Sequence, residues 1–304
     1  MTWSSGLEAI CQADVPLRER TWYGLGGAAR WFLTPRDEDE LATVLRRCSA
    51  HGIRWRVLGR GANVLIRDHG FDGAVIHLAG PAWETVRYEP PTVPADSGVE
   101  RCLVYAAAGV DFPRLVRDTI ERGLVGLENL AGIPGTVGGA VRMNAGGRHG
   151  CLAQYLREAR LAAPDGQVRT CPLAELDFGY RSSSVEGCIV TAATFDLATG
   201  DRAAALERFR RIWNDKYAAQ PPLSARSAGC VFKNPPGQPA GKLIDQAGLK
   251  GRRCGGAEIS SRHANFILAH PGATAQDVLD LITLARERVR DTAGVELELE
   301  VEVW

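Results

Sequence analysis

The stretch AGIPGTVGGAVRMNAGG at residues 131–147 decides how this chain is read, because almost none of its side chains is large enough to build a core. Six glycines in seventeen residues remove Cβ atoms, permit positive φ, and let peptide N–H groups approach a bulky polar partner at contact distance. A phosphate is the partner that such a bared backbone suits best. Pro134 stiffens the entry, while Gly135, Gly138 and Gly139 expose the chain where Val137, Ala140 and Val141 resume an apolar run. Taken alone, the stretch is also compatible with a glycine-rich surface turn.

A second loop upstream changes that balance. The segment TWYGLGGAAR (21–30) reads as a glycine turn running into a short apolar strand over 30–34. Asp37, Glu38 and Asp39 suit a helix amino terminus, Leu41, Val44, Leu45 and Cys48 share one face, and Gly52 stands where a left-handed cap is wanted. A strand over 53–58 then enters Gly59-Arg60-Gly61-Ala62-Asn63, which makes a βαβ unit ending in a phosphate-type loop. The dinucleotide fingerprint GxGxxG would need glycine at position 64, where valine stands, and belongs after the first strand, so a nicotinamide Rossmann fold is disfavoured. GQPAGK at 237–242 is one residue short of a P-loop and follows no strand.

Between Pro81 and Glu100, YEPPTVPADSG suggests an exposed hairpin or linker before an apolar strand over 102–107. Asp111 can cap a helix carrying Phe112, Leu115, Val116, Thr119 and Ile120 on one face and closed by Gly123. After the glycine stretch come strands over 159–163 and 188–196, with FGYRSSS between them. Leu206, Phe209, Trp213 and Tyr217 mark a long amphipathic helix over 201–219. Beyond it lie SAGCVFKNP (227–235), AGKLIDQAGLKG (240–251), a strand-like HANFILAH (263–270) and a helix started by Thr274 and ended by Gly294. From 295 to 304 apolar residues alternate with Glu296, Glu298, Glu300 and Glu302, the pattern of a half-buried strand with one acidic face.

Composition narrows the function classes. Lysine plus arginine equals aspartate plus glutamate, 36 each in 304 residues, so no net field recruits nucleic acid or an anionic membrane. Eight cysteines lie scattered without a CxxC pair, and MTWSSGLEAI lacks the features of a signal peptide, so reduced thiols in a cytoplasmic protein are expected. No apolar run reaches the ~20 residues of a membrane helix. The six histidines show no metal-ligand spacing, so no metal is expected.

Two glycine loops about seventy residues apart, each after its own α+β unit, would grip one long phosphate-containing ligand, and FAD has that reach. From spacing alone, FAD and NAD both remain open. The chain from 21 to 302 also resembles the UDP-N-acetylenolpyruvoylglucosamine reductases, the MurB family. The likeness runs through TWYGLGG, the GxGxN loop at 59–63, the GIPGxxGG…MNAG loop at 132–146, FGYR at 178–181, AGxxFKNP at 228–235, AGxLIxxAGLKG at 240–251, HxNF at 263–266 and a terminal LExE. The short distance from Arg181 to Ala228 is similar to the family's second subtype.

The resemblance implies an α+β fold: a two-lobed FAD-binding domain of the vanillyl-alcohol-oxidase/PCMH type (1–79 and 80–200) and a smaller α+β substrate domain (201–304). It implies NADPH-driven, FAD-dependent reduction of UDP-N-acetylglucosamine enolpyruvate to UDP-N-acetylmuramate in peptidoglycan precursor synthesis, by a monomer. FAD would be held by Gly59, Arg60, Gly61, Ala62 and Asn63, by Gly132, Ile133, Pro134, Gly135, Thr136, Gly138 and Gly139, and by Asn144, Ala145 and Gly146. Hydride added to the terminal enol carbon leaves negative charge spread into the carboxylate, and the adjacent carbon must then receive a proton. Arg181 matches the family's active-site arginine, whose guanidinium fork suits that growing charge. Tyr180 and Lys233 are similar to substrate-contacting positions, with Asn234, Gln246 and His263 further candidates that could equally just satisfy backbone groups.

The chief departure from the family is Cys230, where serine is the usual proton donor. A thiol of ordinary pKa ~8.5 is mostly protonated at neutral pH and yields its proton more readily than an alkanol, so acid function is chemically retained. Glu300 matches the family's catalytic glutamate, although periodicity alone puts it on a solvated strand face. Ala62, Leu299, Glu302 and Gly147-Arg148 are further departures. Two other readings remain open at this point: a flavin oxidase of the same fold, and a non-catalytic nucleotide-sugar-binding relative in which Cys230 marks lost chemistry.

Overall fold

The computed structural model describes residues 3–93 and 98–304. In chain order it opens with β1 (Cys11–Pro16), β2 (Ala28–Leu33), α1 (Glu38–Ala50), β3 (Trp55–Val57), β4 (Val64–Leu65) and β5 (Phe71–Ile76). Next come β6 (Val86–Tyr88), β7 (Arg101–Ala107), α2 (Phe112–Glu121), β8 (Leu124–Val125), α3 (Val137–Arg142), β9 (Gly146–Gly147) and β10 (Gly150–Cys151). Then follow β11 (Leu156–Ala162), β12 (Val168–Pro172), β13 (Phe178–Gly179), β14 (Ser182–Ser183), β15 (Ile189–Thr199) and α4 (Arg202–Ala219). The chain ends with α5 (Ala240–Gln246), β16 (Arg253–Cys254), β17 (Ala257–Ile259), β18 (Ile267–Ala269), α6 (Ala275–Ala293) and β19 (Glu302–Val303). The α+β class expected from the sequence holds.

Helix ends follow local chemistry. Asp37 accepts from the Glu40 N–H to start α1, Asp111 accepts from the Arg114 N–H to start α2, and Thr274 forms a capping box with Asp277 at α6. Gly52, Gly123 and Gly294 take the left-handed conformation just past α1, α2 and α6 (φ +63°, +70° and +66°).

The chain divides into two compact units. The first holds residues up to Gln12, Phe32–Gly59 and Ala74–Asp215; the second holds Ala13–Trp31, Arg60–Gly73 and Lys216–Trp304. The largest sheet lies in the first unit, with strand order β12-β11-β15-β7-β6 and β8 beside β15. Its pairings are antiparallel, centred on the long β15, where Thr194 faces Tyr105 of β7 and Ala159 of β11 faces Ala193. α2 buries Phe112, Leu115, Val116 and Ile120 in the core of this unit, each side chain contributing about 1.5–3 kcal/mol. A bidentate pair ties α1 to the sheet: Glu38 accepts from Arg160 Nε at 2.7 Å and Nη2 at 2.8 Å, and also from Thr191 Oγ1 at 2.8 Å. A smaller sheet has the order β1-β2-β5-β3, in which β3 and β5 run parallel, Trp55 facing Ala74.

The expected 81–100 hairpin exists, since β6 pairs with β7 and Thr92 bridges Arg101; residues 94–97 of that stretch lie outside the described residues. Pro81, Ala82 and Glu84 at its start are exposed as expected, and the exception is one residue. Trp83 is buried and its indole donates to the Pro35 carbonyl at 2.6 Å.

In the second unit α6 packs with α5 and the β16-β17-β18 sheet around Leu243, Ile244, Ile259, Ile267, Val278, Leu281 and Ile282. Two strand expectations shrink here. Within HANFILAH only Ile267–Ala269 is strand, because Phe266 N–H folds back to the His263 carbonyl as a turn. The terminal stretch keeps its in-out alternation, with Leu297 and Val301 buried and Glu296, Glu298 and Glu302 exposed. Its pairing is divided between two partners: Leu299 bridges Phe232, and β19 runs parallel to β4. Among the described residues no helix is long and apolar enough to cross a membrane.

Candidate active site

In the first unit Gly59, the opening residue of the first glycine loop, meets the second. A Cβ on Gly59 would stand 2.8 Å from Thr136 Oγ1, so the end of the strand loop approaches the glycine stretch at a distance only glycine allows. Thr136 caps α3 by accepting from the Gly139 N–H at 3.4 Å. Gly132 and Gly135 lie at φ +72° and +114°, and nothing stands within 4 Å of where a Gly135 Cβ would be. That open, side-chain-free backbone fits the phosphate-bearing cofactor the sequence suggests. Ile133 is half-buried against the core and Pro134 is exposed. Gly138 has a different reason to be glycine: its Cβ would meet the Ala108 Cβ at 3.0 Å, so it permits α3 to lie close on the sheet.

The stretch ends at Asn144, Ala145 and Gly146, all buried. Ala145 N–H returns to the Ala140 carbonyl, and Gly146 pairs with Cys151. Asn144 is a non-glycine residue at φ +41°. FGYRSSS, which the sequence left without a conformation, is the β13–β14 hairpin, with Tyr180 and Arg181 as its two turn residues. Arg181 sits at φ +56°, its guanidinium carbon 5.3 Å from the Tyr180 ring centre, and Tyr180 is 54% exposed.

In the second unit Arg60, Gly61, Ala62 and Asn63 lead into β4. Gly61 (φ +64°) packs so tightly on the 20–21 backbone that a Cβ would overlap the Arg20 carbonyl, and its own carbonyl accepts from the Trp22 N–H. The TWYGLGG turn therefore packs directly against the GxGxN loop. Asn63 reaches the terminal segment: its Nδ2 donates to the Glu300 carbonyl at 2.9 Å, and its carbonyl accepts from the Glu302 N–H at 3.0 Å.

Glu300 is thus set apart from its three neighbours, being half-buried while they are exposed. Its N–H donates to the Val231 carbonyl at 2.8 Å, next to Cys230, and Lys233 N–H donates to the Glu298 carbonyl at 2.8 Å. The segments 230–234 and 298–301 are hence antiparallel neighbours that bring Cys230, Lys233 and Glu300 together. Lys233 Nζ lies 3.5 Å from the exposed Glu298 carboxylate.

Asn234 accepts from the Ala240 N–H at 2.9 Å and fastens the start of α5, whereas Gln246 is exposed at the helix's other end. His263 stands beside Gly241 of α5, 3.2 Å from where its Cβ would be. Burial lowers the His263 pKa, and its Nδ1 accepts from the Asn265 N–H, so the ring is neutral with its proton on Nε2.

One residue of this cluster entered the sequence reading only as the third letter of HxNF, with no role assigned. Asn265, 2% exposed, accepts from the Phe232 N–H at 2.9 Å, donates to the Phe232 carbonyl at 2.8 Å, and takes the Val231 N–H on its own carbonyl. It clamps the segment that carries Cys230 and Lys233 from the side opposite Glu300. The available signal was a lone amide inside the otherwise apolar run ANFIL.

Residues 220–304 match the model for the UDP-N-acetylenolpyruvoylglucosamine reductase C-terminal domain, and residues 29–172 match an FAD binding domain. A UDP-N-acetylenolpyruvoylglucosamine reductase from Heliobacterium modesticaldum is 42% identical over 95% of this chain and 88% of its own length. This chain belongs to that reductase family. The enzyme of the same name from Syntrophotalea carbinolica is also 42% identical, covering 98% of this chain and 95% of its own. The crystal structure of UDP-N-acetylenolpyruvylglucosamine reductase (MurB) from Thermus caldophilus superposes with a TM-score of 0.79 at 40% identity, covering 95% of this chain and 97% of that one. The reductase family and the FAD binding domain agree with the fold and cofactor that the resemblance implied, where the glycine loops alone left FAD and NAD open.

Proposed function

We propose that this chain reduces the enolpyruvyl ether of UDP-N-acetylglucosamine enolpyruvate to the lactyl ether of UDP-N-acetylmuramate, with FAD as its bound redox group and NADPH as hydride donor. The observation that carries this reading is the pairing, in a member of this family, of the Cys230 segment with the Glu300 segment. When bound, FAD would supply the hydride chemistry that links NADPH to the enol double bond.

The chain's own residues hold the charge and the proton. Addition of hydride at the terminal carbon sends an electron pair toward the carboxylate, and the Arg181 guanidinium is assigned to receive that carboxylate bidentately. The Cys230 Sγ–H is assigned to protonate the adjacent carbon, with Glu300 as a second acid on the neighbouring segment. Lys233 suits the diphosphate or the carboxylate, Tyr180 offers its exposed ring, and Asn234, Gln246 and the Nε2–H of neutral His263 are the remaining substrate contacts. The flavin is assigned to residues 59–63, 132–139 and 144–146, with 1–79 and 80–200 as its lobes and 201–304 as the substrate domain. The same reading makes the protein a cytoplasmic monomer.

The test is a visible spectrum of the purified protein before and after NADPH, followed by the enolpyruvyl substrate. Yellow protein that bleaches with NADPH and recovers its colour only with substrate is the expected result. Rapid recovery in air without substrate would mean an oxidase, and initial-rate patterns demanding a ternary complex would remove the shared-cleft, two-step scheme.

A further inference from the structure

Two side chains fasten the arginine hairpin to the end of the glycine stretch within the first unit. Asn144 Nδ2 donates to the Gly179 carbonyl at 2.9 Å, while its Oδ1 accepts from the Ala153 N–H at 3.1 Å. Ser183 Oγ donates to the Arg142 carbonyl at 2.6 Å. The hairpin's ladder has two facing pairs, Phe178 with Ser183 and Gly179 with Ser182, below which Ser184 N–H donates to the Asp177 carbonyl and Asp177 N–H to Ser184 Oγ. A ladder that short does not hold its own orientation in water, so the direction of the turn is set by what its strands are tied to. Both ties end on 142–144, where α3 closes inside the glycine stretch assigned to the flavin.

Asn144 is built for this link. It is 5% exposed and adopts φ +41°, a conformation that costs most side chains about 1–2 kcal/mol and that asparagine tolerates. The conformation aims one end of the amide at the hairpin and the other at residue 153. Arg181, at φ +56°, is also left-handed, so its guanidinium direction depends on a turn that the strands below it must hold.

We propose that Asn144, seconded by Ser183, is a positioning residue for Arg181, setting the angle at which the guanidinium meets the substrate carboxylate. The inference rests on the reading that Arg181 receives that carboxylate. Of the residues assigned to the flavin, Asn144 would then contribute its backbone alone, because both ends of its side-chain amide are taken, one by the hairpin and one by residue 153. Misplacement of a reacting group by about 1 Å costs on the order of 10²-fold, so loosening the hairpin should slow the step that uses Arg181 and leave the other alone.

The experiment uses FAD-loaded Asn144→Asp, Ser183→Ala, Arg181→Ala and the Asn144→Asp/Arg181→Ala double variant. Aspartate keeps the acceptor for the Ala153 N–H and the tolerance for positive φ, but sets an oxygen against the Gly179 carbonyl. Flavin content comes from the visible spectrum, and the two half-reactions from stopped-flow absorbance with NADPH or with UDP-N-acetylglucosamine enolpyruvate. The expected result for Asn144→Asp is normal flavin content, normal reduction by NADPH, and reoxidation by substrate slower by about 10–100-fold. That loss should vanish in the Arg181→Ala background, since a residue acting through Arg181 has nothing further to remove. If Asn144→Asp does not fold, Ser183→Ala carries the same comparison with a smaller loss in the same half-reaction.

Wild-type reoxidation in both single anchors, an undiminished loss in the Arg181→Ala background, or a defect confined to flavin content would each overturn the proposal. Normal reoxidation by Arg181→Ala would instead overturn the underlying assignment of Arg181, and the inference would fall with it.

Discussion

Replacing Asn265 by alanine removes the clamp on the Cys230 segment. The Phe232 N–H and carbonyl both point at that amide, because the other edge of the segment is taken up by Glu298 and Glu300. Asn265 is 2% exposed, so no water replaces it at once, and each orphaned group costs about 1–3 kcal/mol. The two together give about 2–6 kcal/mol. At about 2–4 °C per kcal/mol, even the lower bound lowers Tm by roughly 4 °C. The assay is thermal unfolding of the holoenzyme alongside the alkylation rate of Cys230, followed by peptide mass mapping. The expected result is a lower Tm and faster alkylation at Cys230 than at the other seven thiols. Asn265→Asp sharpens the test, since the carboxylate accepts from the Phe232 N–H but opposes the Phe232 carbonyl. Burial and that carbonyl raise its folded pKa above the unfolded value of ~3.9, and the protonated acid can donate again. Stabilisation by a group with a raised pKa is present below the unfolded pKa and lost as pH rises through the folded one, so the gap between Asn265→Asp and wild type should narrow in acid. A melt and alkylation profile superimposable on wild type for Asn265→Ala would refute the clamp.

Cys230→Ala should slow flavin reoxidation by substrate by ~10²–10⁴-fold with reduction by NADPH intact, while Cys230→Ser keeps appreciable activity; solvent deuterium at the lactyl carbon reads out the proton transfer. Gly61→Ala forces a Cβ into the Arg20 carbonyl at positive φ, adding ~1–2 kcal/mol of backbone strain to ~1–3 kcal/mol of overpacking, so urea melts should show a clear loss. Gly147→Ala, with nothing within 4 Å and no positive φ, should melt like wild type. The Arg160 hydrogen bonds hold the Glu38 carboxyl below its usual range, so its stabilisation is present above about 4.5 and lost as pH falls through the folded pKa. Arg160→Met should therefore flatten the acid side of the stability profile, and an unchanged acid limb would show that this half-exposed pair contributes nothing.

By itself, the sequence determined what depends on neighbours a few residues apart. Asp37, Asp111 and Thr274 cap helices wherever those helices go, and Gly52, Gly123 and Gly294 end them, because each bond closes within one turn. The glycine-bared loops at 59–63 and 132–147 were legible for the same reason, as was the family resemblance carried by their order. The tertiary structure decided which members of a pattern differ from one another. Four alternating glutamates are equivalent in one dimension; Glu300 is distinguished by a bond from Asn63, 237 positions away. Gly59, Gly61 and Gly138 look alike as bare backbone, yet each is glycine for a separate neighbour: Thr136, the Arg20 carbonyl and Ala108. Asn144 and Asn265 gain their roles from carbonyls 35 and 33 residues distant. Short-range hydrogen bonding is written in residue order, whereas these long-range bonds exist only once packing has excluded water and brought distant backbone groups within reach of each amide.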